Sequence, residues 1–423
     1  IGAGSQVFGQ RSIIDILTSP VLVSTQLEIV LVDTNENKLK TMLNLGKMVQ
    51  ERLQSPAKLW ATTDRVEALV DADYVFISVS IQRYTLWEQD FRVPFAYGFK
   101  QAYGENGGPG ALFHALRNIH LVMEICSDIE RLAPSAFVFN FSNPESRILL
   151  ALKNLSPLKT IGLCHGQHDA LQTIGKLLNR SIDTIEIRGG GINHLFWLQE
   201  IKDSITGEDL YPAVKEAAAN NNDPLFTLPK KLLEIYGMLT YPDNTHAGEF
   251  FSWGSEYMNG KWVHGLESRR VGALHKSQID VIAPILDGTV PLDPLLVQSR
   301  EIAIPIIETM ITGNKREFLS ANVKNTELYI PNLQEGGIVE VPITVDGQGI
   351  HPQTINALDE GVAAFCRNQI SIQMLTVEAY QHRSKQLLLQ ALLLEPTVDS
   401  IVKAEAYLDD MLELQRDYIP EFT

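Results

Sequence analysis

The alternation of apolar and polar segments predicts strands that take turns with helices in the first half of the chain. Runs rich in β-branched and aromatic residues recur four times, at residues 27–33, 73–80, 136–144 and 159–163. Each run has the length and composition of a buried strand. Segments with helical spacing of apolar residues lie between them, at residues 38–53 and 111–132. This order is typical of a doubly wound parallel sheet, so we predict an α/β fold with a Rossmann-like domain.

The second half of the chain mixes the two periodicities. It contains a predicted strand at residues 195–202, a predicted helix at 226–236 and a roughly alternating strand at 338–345. Pro342 lies inside that last strand and indicates a sheet edge. Three helices are expected to close the chain, at residues 355–375, 377–394 and 400–414. We therefore predict two domains, residues 1–165 and an α+β domain at residues 166–423.

Charge and cysteine content exclude some classes of partner. The 423 residues carry 51 acidic and 35 basic side chains, which gives a net charge of −16. A negative chain disfavours nucleic acid and anionic membrane as partners, and no apolar run reaches the roughly 18 residues of a spanning helix. Three widely spaced cysteines suit a reducing compartment, so we expect a cytoplasmic protein.

The first residues form a candidate dinucleotide-binding turn. Gly2 permits a tight turn, and Gly4 lets a pyrophosphate approach the backbone at a helix N-terminus. Val7 stands where the usual fingerprint has a third glycine, so an ordinary strand-to-helix turn stays an alternative. Asp33 ends the next strand, and its carboxylate favours the ribose diol of NAD over NADP. The predicted cofactor-binding residues here are Gly2, Gly4, Ser5, Gln6, Val7 and Asp33. Most of the strand that should precede this turn is lacking, so we expect further residues before Ile1.

Polar residues follow two neighbouring strands of the predicted sheet. Asn140 and Asn143 end the third apolar run, and Cys164 follows the fourth. Ligands of open parallel sheets bind at that edge. His194 comes about thirty residues later, after three glycines. A thiolate and an imidazole on separate strand ends can bind one divalent metal ion, while a half-buried cysteine and a core histidine are the alternative.

A glycine-rich segment, residues 104–110, has the composition of a loop over a ligand, and it carries Glu105. Arg117 follows near the start of the next predicted helix. Its guanidinium could clamp an anion or a sugar, and an ordinary surface arginine is the alternative.

Five motifs in this order resemble those of glycoside hydrolase family 4, the NAD- and manganese-dependent glycosidases. They are the glycine turn ending in Ser5, Gly108-Pro109-Gly110 with Ala115-Leu116-Arg117, Asn140-x-x-Asn143-Pro144, Gly162-x-Cys164-His165, and Gly191-Ile192-Asn193-His194. Val339-Glu340-Val341-Pro342 extends the likeness toward the C-terminus. The resemblance implies a fold like that of lactate and malate dehydrogenases.

The resemblance also implies cofactors and a reaction. Cys164 and His194 would bind Mn2+ or another divalent metal, Asn143 would contact sugar and metal, and Asn140 would lie nearer the nicotinamide. The family reaction oxidises C3 of the sugar with NAD, removes the C2 proton with help from the metal, eliminates the C1 substituent, adds water and reduces C3 again, outside the two-carboxylate scheme. His165 would assist the departing oxygen or pack beside the metal. Asn193 would orient His194 or touch a sugar hydroxyl.

The base in that reaction is expected between residues 236 and 250. Asp243 is our first candidate and Tyr241 the second, whereas a helix cap is the structural alternative for Asp243. His246 resembles a substrate-contacting position. The family's usual Asp-Thr is replaced by Glu105-Asn106, which puts a sugar-binding role of Glu105 in question.

Cys164-His165-Gly166 resembles the α-glucosidase subgroup and implies a non-phosphorylated α-glycoside, best an α-glucoside. An α-galactoside or an α-galacturonide stays open, since Arg117, Arg147 or His246 could bind a carboxylate. The resemblance further implies a homodimer or homotetramer. Two other hypotheses are a malate/lactate-type NAD-dependent dehydrogenase and a catalytically silent sugar or nucleotide sensor.

Overall fold

A computed structural model of the chain describes residues 1–5, 8–258, 282–299 and 301–423. Its strands are β1 (Glu28–Val32), β2 (Lys58–Thr62), β3 (Tyr74–Ile77), β4 (Phe137–Asn140), β5 (Lys159–Gly162), β6 (Ile185–Ile192), β7 (Leu195–Asp203), β8 (Arg316–Lys324), β9 (Ile338–Asp346) and β10 (Gly349–Pro352). Its helices are α1 (Phe8–Thr18), α2 (Pro20–Val23), α3 (Glu36–Leu53), α4 (Arg65–Leu69), α5 (Arg83–Ala96), α6 (Pro109–Leu132), α7 (Glu145–Leu155), α8 (Gly166–Leu178), α9 (Tyr211–Ala219), α10 (Thr227–Tyr236), α11 (Asn244–Gly248), α12 (Ala303–Thr312), α13 (Glu360–His382), α14 (Lys385–Leu393) and α15 (Ile401–Leu414). Within these described ranges, each helix is too short or too polar to cross a membrane.

The N-terminal part has the parallel strands that the apolar runs predict. β3, β4 and β5 are parallel neighbours, and β1 pairs with β2 in parallel. The backbone of Ile1 and Gly2 links the two groups. The amino group of Ile1 donates to Phe76 O, Ser78 N donates to Ile1 O at 3.0 Å, and Gly2 N donates to Val32 O at 2.9 Å. The predicted α/β architecture is therefore confirmed.

The sheet continues from the parallel strands into antiparallel ones, in the order β3-β4-β5-β8-β9-β6-β7. One residue pair, Gly162 and Asn322, joins β5 to β8. Asn322 pairs with Glu340 on β9, and Glu340 pairs with Gly191 on β6. A single row of paired residues thus crosses from the Rossmann-like part to the hairpin β6–β7.

Pro342 does not lie on an edge strand, so that prediction is wrong. β9 has β8 on one side and both β6 and β10 on the other. The pairing of β8 with β9 shifts between Phe318 and Ala321, opposite Pro342. This bulge removes the need for an N–H at the proline, so an interior strand tolerates it. The Pro342 carbonyl still accepts a hydrogen bond from Gln353 N at 2.8 Å.

The closing helices also differ from the prediction in their bounds. One helix, α13, runs through the expected break at residue 376, because no proline or glycine interrupts it there. It ends at Arg383, which adopts a left-handed conformation with φ of 56°. Ser384 then caps α14, with its side chain accepting from Leu387 N.

A buried ion cluster ties α5, α6 and the C-terminal segment together. Asp90 accepts hydrogen bonds from Arg117 at 2.8 Å and from Gln415 at 2.9 Å, and it lies 3.1 Å from His114 Nδ1. Asp90, Arg117 and Gln415 are fully buried. Burial raises the pKa of Asp90, but Arg117 and His114 lower it more, so the net direction is down. The carboxylate is therefore charged at neutral pH and compensates the guanidinium.

We predict that Asp90→Asn lowers the free energy of unfolding by about 3–5 kcal/mol, because it leaves the Arg117 charge buried without its partner. Urea unfolding of both proteins measures the difference. Glu413→Gln serves as the control: its partner Arg416 is exposed, and such a surface pair contributes about 1 kcal/mol or less. Equal effects of the two substitutions would contradict the assignment.

Candidate active site

Strand register brings the predicted residues to one edge of the sheet. Ile77 on β3 is in register with Asn140 on β4, and Asn140 with Gly162 on β5. The segments that leave these strands therefore start at the same level, as the carboxyl ends of parallel strands do. Cys164 lies two residues beyond Gly162, so the thiol and the Asn140–Asn143 segment share this edge.

The glycine turn packs tightly against β3 and Asp33. Gly2 has a φ of 86°, and a Cβ atom there would lie 1.9 Å from Ser78 O. Gly4 N donates to Asp33 Oδ2 at 2.8 Å, and a Cβ on Gly4 would lie 2.7 Å from the same oxygen. Ser5 O accepts from Gly9 N in the first turn of α1. Gln6 and Val7 lie outside the described residues. Only glycine fits at positions 2 and 4 of the turn, and such close approach of the backbone is what a phosphate-binding turn needs.

Asn140 and Asn143 occupy a turn at the end of β4. The buried Asn140 side chain accepts from Ser142 N at 3.2 Å and donates to Ser142 O at 3.1 Å. Asn143 is half-buried, and its carbonyl accepts from Asn118 at 2.7 Å. Asn140 therefore shapes the turn, whereas the Asn143 side chain is the one with access to a ligand.

His194 lies at the turn between β6 and β7 in an unusual backbone conformation. Its φ is 64°, a left-handed value that costs energy for a residue other than glycine and that often marks functional sites. The ring is buried, and its Nδ1 has no hydrogen-bond partner among the described residues. Burial lowers the pKa of His194, and the neighbouring His246 lowers it further. The imidazole is therefore neutral, the form that binds metals.

Cys164 is a free cysteine close to Asn193 and to the backbone N–H of Gly166. Burial raises the pKa of its thiol, and the carboxyl of Glu340 adds to this effect. A thiol in this position stays protonated until a cation binds. Neutral imidazole and a deprotonatable thiol form a donor set that fits a divalent metal such as Mn2+ or Zn2+. Across the described ranges, no group of three or more His, Cys, Asp or Glu side chains could hold an ion.

Aromatic rings connect the two candidate metal ligands. Tyr241 packs its ring edge against Gly166, where an added Cβ would lie 2.8 Å from Tyr241 Cε2. The Tyr241 ring lies 5.0 Å from the His194 ring and stacks on His246 at 4.4 Å. The His194 and His246 rings are 4.7 Å apart. Gly166, His194 and His246 thus all lie against Tyr241, and Cys164, two residues before Gly166, interacts with the same tyrosine.

Asp243 forms a close ion pair with His246 and also caps α11. Its Oδ2 lies 2.6 Å from His246 Nδ1, and its Oδ1 accepts from His246 N at 2.9 Å. The helix-cap alternative is confirmed, and the capping carboxylate faces the imidazole cluster. Burial raises the pKa of Asp243, but His246 and Thr245 lower it more, to well below its usual range. Burial lowers the pKa of His246, and Asp243 raises it more, to about 9.

His165 follows Cys164 and lies on the side of the site near α1. Its Nδ1 lies 3.4 Å from the carboxylate of Glu301, and its Nε2 lies 3.8 Å from Asp169. Glu301 raises the pKa of His165, so the imidazole carries a proton more readily than a free histidine. About a third of the side chain is exposed, which leaves it accessible to a bound molecule.

The loop with Glu105 is held by a buried carboxyl. Glu249 Oε1 accepts from Glu105 N at 2.8 Å and from Asn106 N at 3.1 Å. Burial raises the pKa of Glu249 to about 8. The Glu105 carboxylate is itself paired with Arg83 at 3.1 Å. The neighbouring Tyr103 ring lies 5.6 Å from His246, so the loop borders the same group of rings.

The structure corrects the prediction for Arg117. It is fully buried and bonded to Asp90 and Gln415, so it is neither a surface arginine nor a side chain that can clamp a substrate. Arg147 is likewise buried, and Glu395 is its partner at 2.8 Å. Arg117 follows Ala115-Leu116 and Arg147 precedes Ile148-Leu149, and these apolar neighbours were the only sequence signal for a buried ion pair.

Four carboxyl groups near the site had no role in the sequence prediction: Glu145, Glu249, Glu301 and Glu340. Glu340 stands within an apolar strand, where a charged residue needs a special reason. Glu145 lies over Gly162, and a Cβ on that glycine would lie 1.4 Å from Glu145 Oε1. Glu340 was visible in the sequence as an isolated acid within an apolar strand, but the convergence of the four carboxyls depends on the pairing of distant strands.

The models of two family domains match the chain. The model "Family 4 glycosyl hydrolase" matches residues 1–180, and its C-terminal domain matches residues 190–398. This chain belongs to glycoside hydrolase family 4. The family prediction is confirmed, and the protein is a glycoside hydrolase. The exact domain boundary at residue 165 stays a prediction.

Two relatives of known activity match this chain over nearly its whole length. An α-glucosidase of Erwinia rhapontici is 29% identical over 460 residues, covering 99% of this chain and 98% of that protein. An α-galactosidase of Bacillus subtilis (strain 168) is 29% identical over 435 residues, covering 100% and 98%.

Solved structures share the fold. A 6-phospho-α-glucosidase from gut microorganisms, in complex with NAD and Mn2+, superposes with a TM-score of 0.85 at 21% identity, covering 100% of this chain and 98% of that one. Malate dehydrogenase of Plasmodium falciparum gives a TM-score of 0.51 at 13% identity, covering 91% and 97%. The expected likeness to dehydrogenases is confirmed at the level of the fold.

The pair of Asp243 and His246 predicts a pH dependence of stability. The pKa of His246 is raised from 6.5 to about 9, so the stabilisation is complete below pH 6.5 and is lost as the pH rises through 9. We compare the free energy of unfolding of wild type with that of Asp243→Asn. The excess of wild type should be roughly 2–3 kcal/mol larger at pH 6 than at pH 10. Urea titrations at both pH values measure this, and a difference that does not change with pH would refute the pairing.

Proposed function

We propose that this family member hydrolyses a non-phosphorylated α-glycoside, best an α-glucoside, with NAD and Mn2+ or another divalent metal as cofactors. The observation that carries the proposal is the arrangement of Cys164 and His194 around Tyr241, at the sheet edge that begins beside the Gly2–Gly4 turn. A dehydrogenase of the malate type needs no such pair, and family membership favours the glycosidase.

The cofactors would supply the chemistry that side chains lack. NAD, when bound at Gly2, Gly4, Ser5 and Asp33, supplies a reversible hydride acceptor. A metal ion held by Cys164 and His194 supplies a Lewis acid next to the sugar hydroxyls. Two protein ligands leave coordination positions open for oxygen atoms of the substrate.

Asp243 would accept the C2 proton of the sugar. Its carboxylate is ionised at neutral pH, and His246 orients it. The same pairing holds its pKa below the usual range and so lowers its strength as a base. Tyr241 is the weaker candidate, because burial raises the pKa of its phenol and keeps it protonated. The raised pKa of His165 suits a donor of a proton to the departing oxygen. Asn143, Asn193 and Glu105 would bind sugar hydroxyls.

Charge pairing supports a sugar without phosphate. Arg83, Arg117 and Arg147 are each matched by a carboxylate, namely Glu105, Asp90 and Glu395. A phosphate that bound Arg117 or Arg147 would need to displace the paired acid, and that would leave a buried charge without compensation. Hydroxyl groups need no free cation, because amides and carboxylates bind them.

Two further statements stay predictions. We expect a homodimer or homotetramer, as the exposed apolar residues Ile401 and Val402 on α15 offer contact area. The free cysteines Cys126, Cys164 and Cys366 suit a reducing compartment, so we still expect a cytoplasmic location.

The substrate prediction is tested with p-nitrophenyl α-glucoside, α-galactoside, α-galacturonide and the 6-phosphate of the α-glucoside, each with NAD, Mn2+ and thiol. We expect p-nitrophenol release from the α-glucoside without accumulation of NADH. We expect a kcat/KM at least about tenfold lower for the 6-phosphate, because its phosphate would compete with the carboxylate partners of Arg83, Arg117 and Arg147. The α-galactoside is the second candidate, because one relative is an α-galactosidase. Faster cleavage of the 6-phosphate would contradict the proposal.

NAD binding is tested at the glycine turn. Gly4→Ala places a methyl group 2.7 Å from Asp33 Oδ2, so we expect the Kd for NAD to rise at least about tenfold. Gly361→Ala is the matched control, because its methyl group meets only Tyr236 at an ordinary contact distance of 3.4 Å. Fluorescence titration with NADH measures both variants. Unchanged affinity in Gly4→Ala would show that the dinucleotide binds elsewhere.

A further inference from the structure

Two segments that border the candidate active site are joined by one buried side chain. The site loop, residues 103–108, approaches the site through Tyr103, whose ring centroid lies 5.6 Å from that of His246. The base segment, residues 241–249, contains His246 and the candidate base. Glu249 ends the base segment, directly after α11, and its side chain reaches the site loop.

The contact between Glu249 and the site loop consists of two hydrogen bonds to backbone groups. Glu249 Oε1 accepts from Glu105 N at 2.8 Å and from Asn106 N at 3.1 Å. The two backbones also touch beside these bonds, since a Cβ atom on Gly107 would lie 2.6 Å from Glu249 O. Glu249, Glu105 and Asn106 are all buried. Buried N–H groups are costly to leave without an acceptor, so the two hydrogen bonds hold the loop against the base segment.

The base segment is held independently from its other side. Asn244, in the first turn of α11, donates to Pro224 O and to Thr227 Oγ1, both at 2.9 Å. Its Oδ1 atom accepts from Leu228 N at 2.8 Å. Asn244 is buried, and these bonds attach the base segment to the start of α10. The base segment therefore keeps its place without the site loop, whereas two backbone groups of the loop depend on Glu249.

We propose that Glu249 is a positioning residue that fixes the site loop on the base segment, so that the loop and the candidate base enclose a sugar as one unit. The inference rests on the proposed function, in which Glu105 binds a sugar hydroxyl and Asp243 is the base. Glu249 acts through its hydrogen-bond acceptor and not through its charge.

A glutamine at this position keeps the feature that the proposal requires. Burial raises the pKa of Glu249 to about 8, so its carboxyl holds a proton at neutral pH. The Glu249 Oε2 atom forms no hydrogen bond within the described residues, so its replacement by an amide group breaks none. Glu249→Gln therefore retains a neutral side chain of the same shape with its acceptor oxygen, whereas Glu249→Ala removes the acceptor.

The test compares the steady-state kinetics of these two variants with those of wild type, with NAD and Mn2+ present. The substrate is whichever p-nitrophenyl glycoside wild type cleaves. We expect Glu249→Ala to raise KM about 10- to 100-fold while kcat stays within about threefold, because the loop shifts but the base segment does not. Glu249→Gln should stay within about threefold of wild type in both constants.

Asp203→Ala is the matched control. The Asp203 Oδ1 atom also accepts from two consecutive backbone N–H groups, Ile205 N at 2.9 Å and Thr206 N at 2.8 Å, but at the opposite end of β7 from the β6–β7 turn. Asp203→Ala should leave KM unchanged. Gly107→Ala replaces Glu249→Ala if that variant fails to fold: its methyl group would displace the loop from Glu249 O, so KM should rise while the acceptor is intact.

Equal losses in Glu249→Ala and Glu249→Gln would show that the carboxyl acts by its charge and would overturn the inference. An unchanged KM in Glu249→Ala, or an equal rise in Asp203→Ala, would overturn it as well.

Amide hydrogen exchange separates this inference from the proposed function. Glu249→Ala should speed exchange at residues 105–108 at least about tenfold and leave residues 243–248 unchanged. If wild type cleaves none of the glycosides, the proposed function fails, and the exchange still decides whether Glu249 holds the loop. Exchange in the loop that matches wild type would overturn the inference alone.

Discussion

The pairing of Gly162 with Asn322 is the contact on which the rest of the site depends. It is the one register pair between β5 and β8, and it joins a parallel set of strands to an antiparallel set. Cys164 belongs to the first set and His194 to the second, separated by about thirty residues of sequence. Gly162 is required there because the Glu145 carboxyl occupies the space of a side chain. A shift of one residue in this register would move one of the two candidate ligands to the other face of the sheet.

Buried charges around that junction are arranged in matched sets. Asp90 with Arg117, and Glu395 with Arg147, fix the helices that follow the strands, while Glu249 fixes the loop at Glu105. Glu145 and Glu340 differ, because no basic side chain hydrogen-bonds to either of them in the described parts of the chain. Two carboxyls without such a partner beside a thiol raise its pKa in the absence of a cation and attract a cation when one is available.

Much of the fold could be predicted from the sequence, since the strong apolar runs became β1, β3, β4 and β5. Strands β2 and β8 gave no clear signal: β2 has one exposed and four half-buried residues, and β8 begins with charged residues. Pro342 misled the prediction because the bulge that accommodates it lies on another strand. Local motifs indicated Cys164 and His194 as candidate metal ligands and Asp243 as a candidate base. The helix cap at Asp243 was predicted as the alternative. Arg117 was misplaced because its partners, Asp90 and Gln415, lie 27 and 298 residues away in sequence, and no local pattern predicts such contacts.

The central claim is that Cys164 and His194 bind the same divalent ion. Replacement of Mn2+ by Co2+ tests it most directly, because a cobalt–thiolate bond gives an ultraviolet charge-transfer band, and the visible bands report the remaining ligands. The account predicts a charge-transfer band at one equivalent of cobalt, its loss in Cys164→Ser, and changed visible bands in His194→Ala. A charge-transfer band that persists in Cys164→Ser, or cobalt spectra that His194→Ala leaves unaltered, would contradict the account.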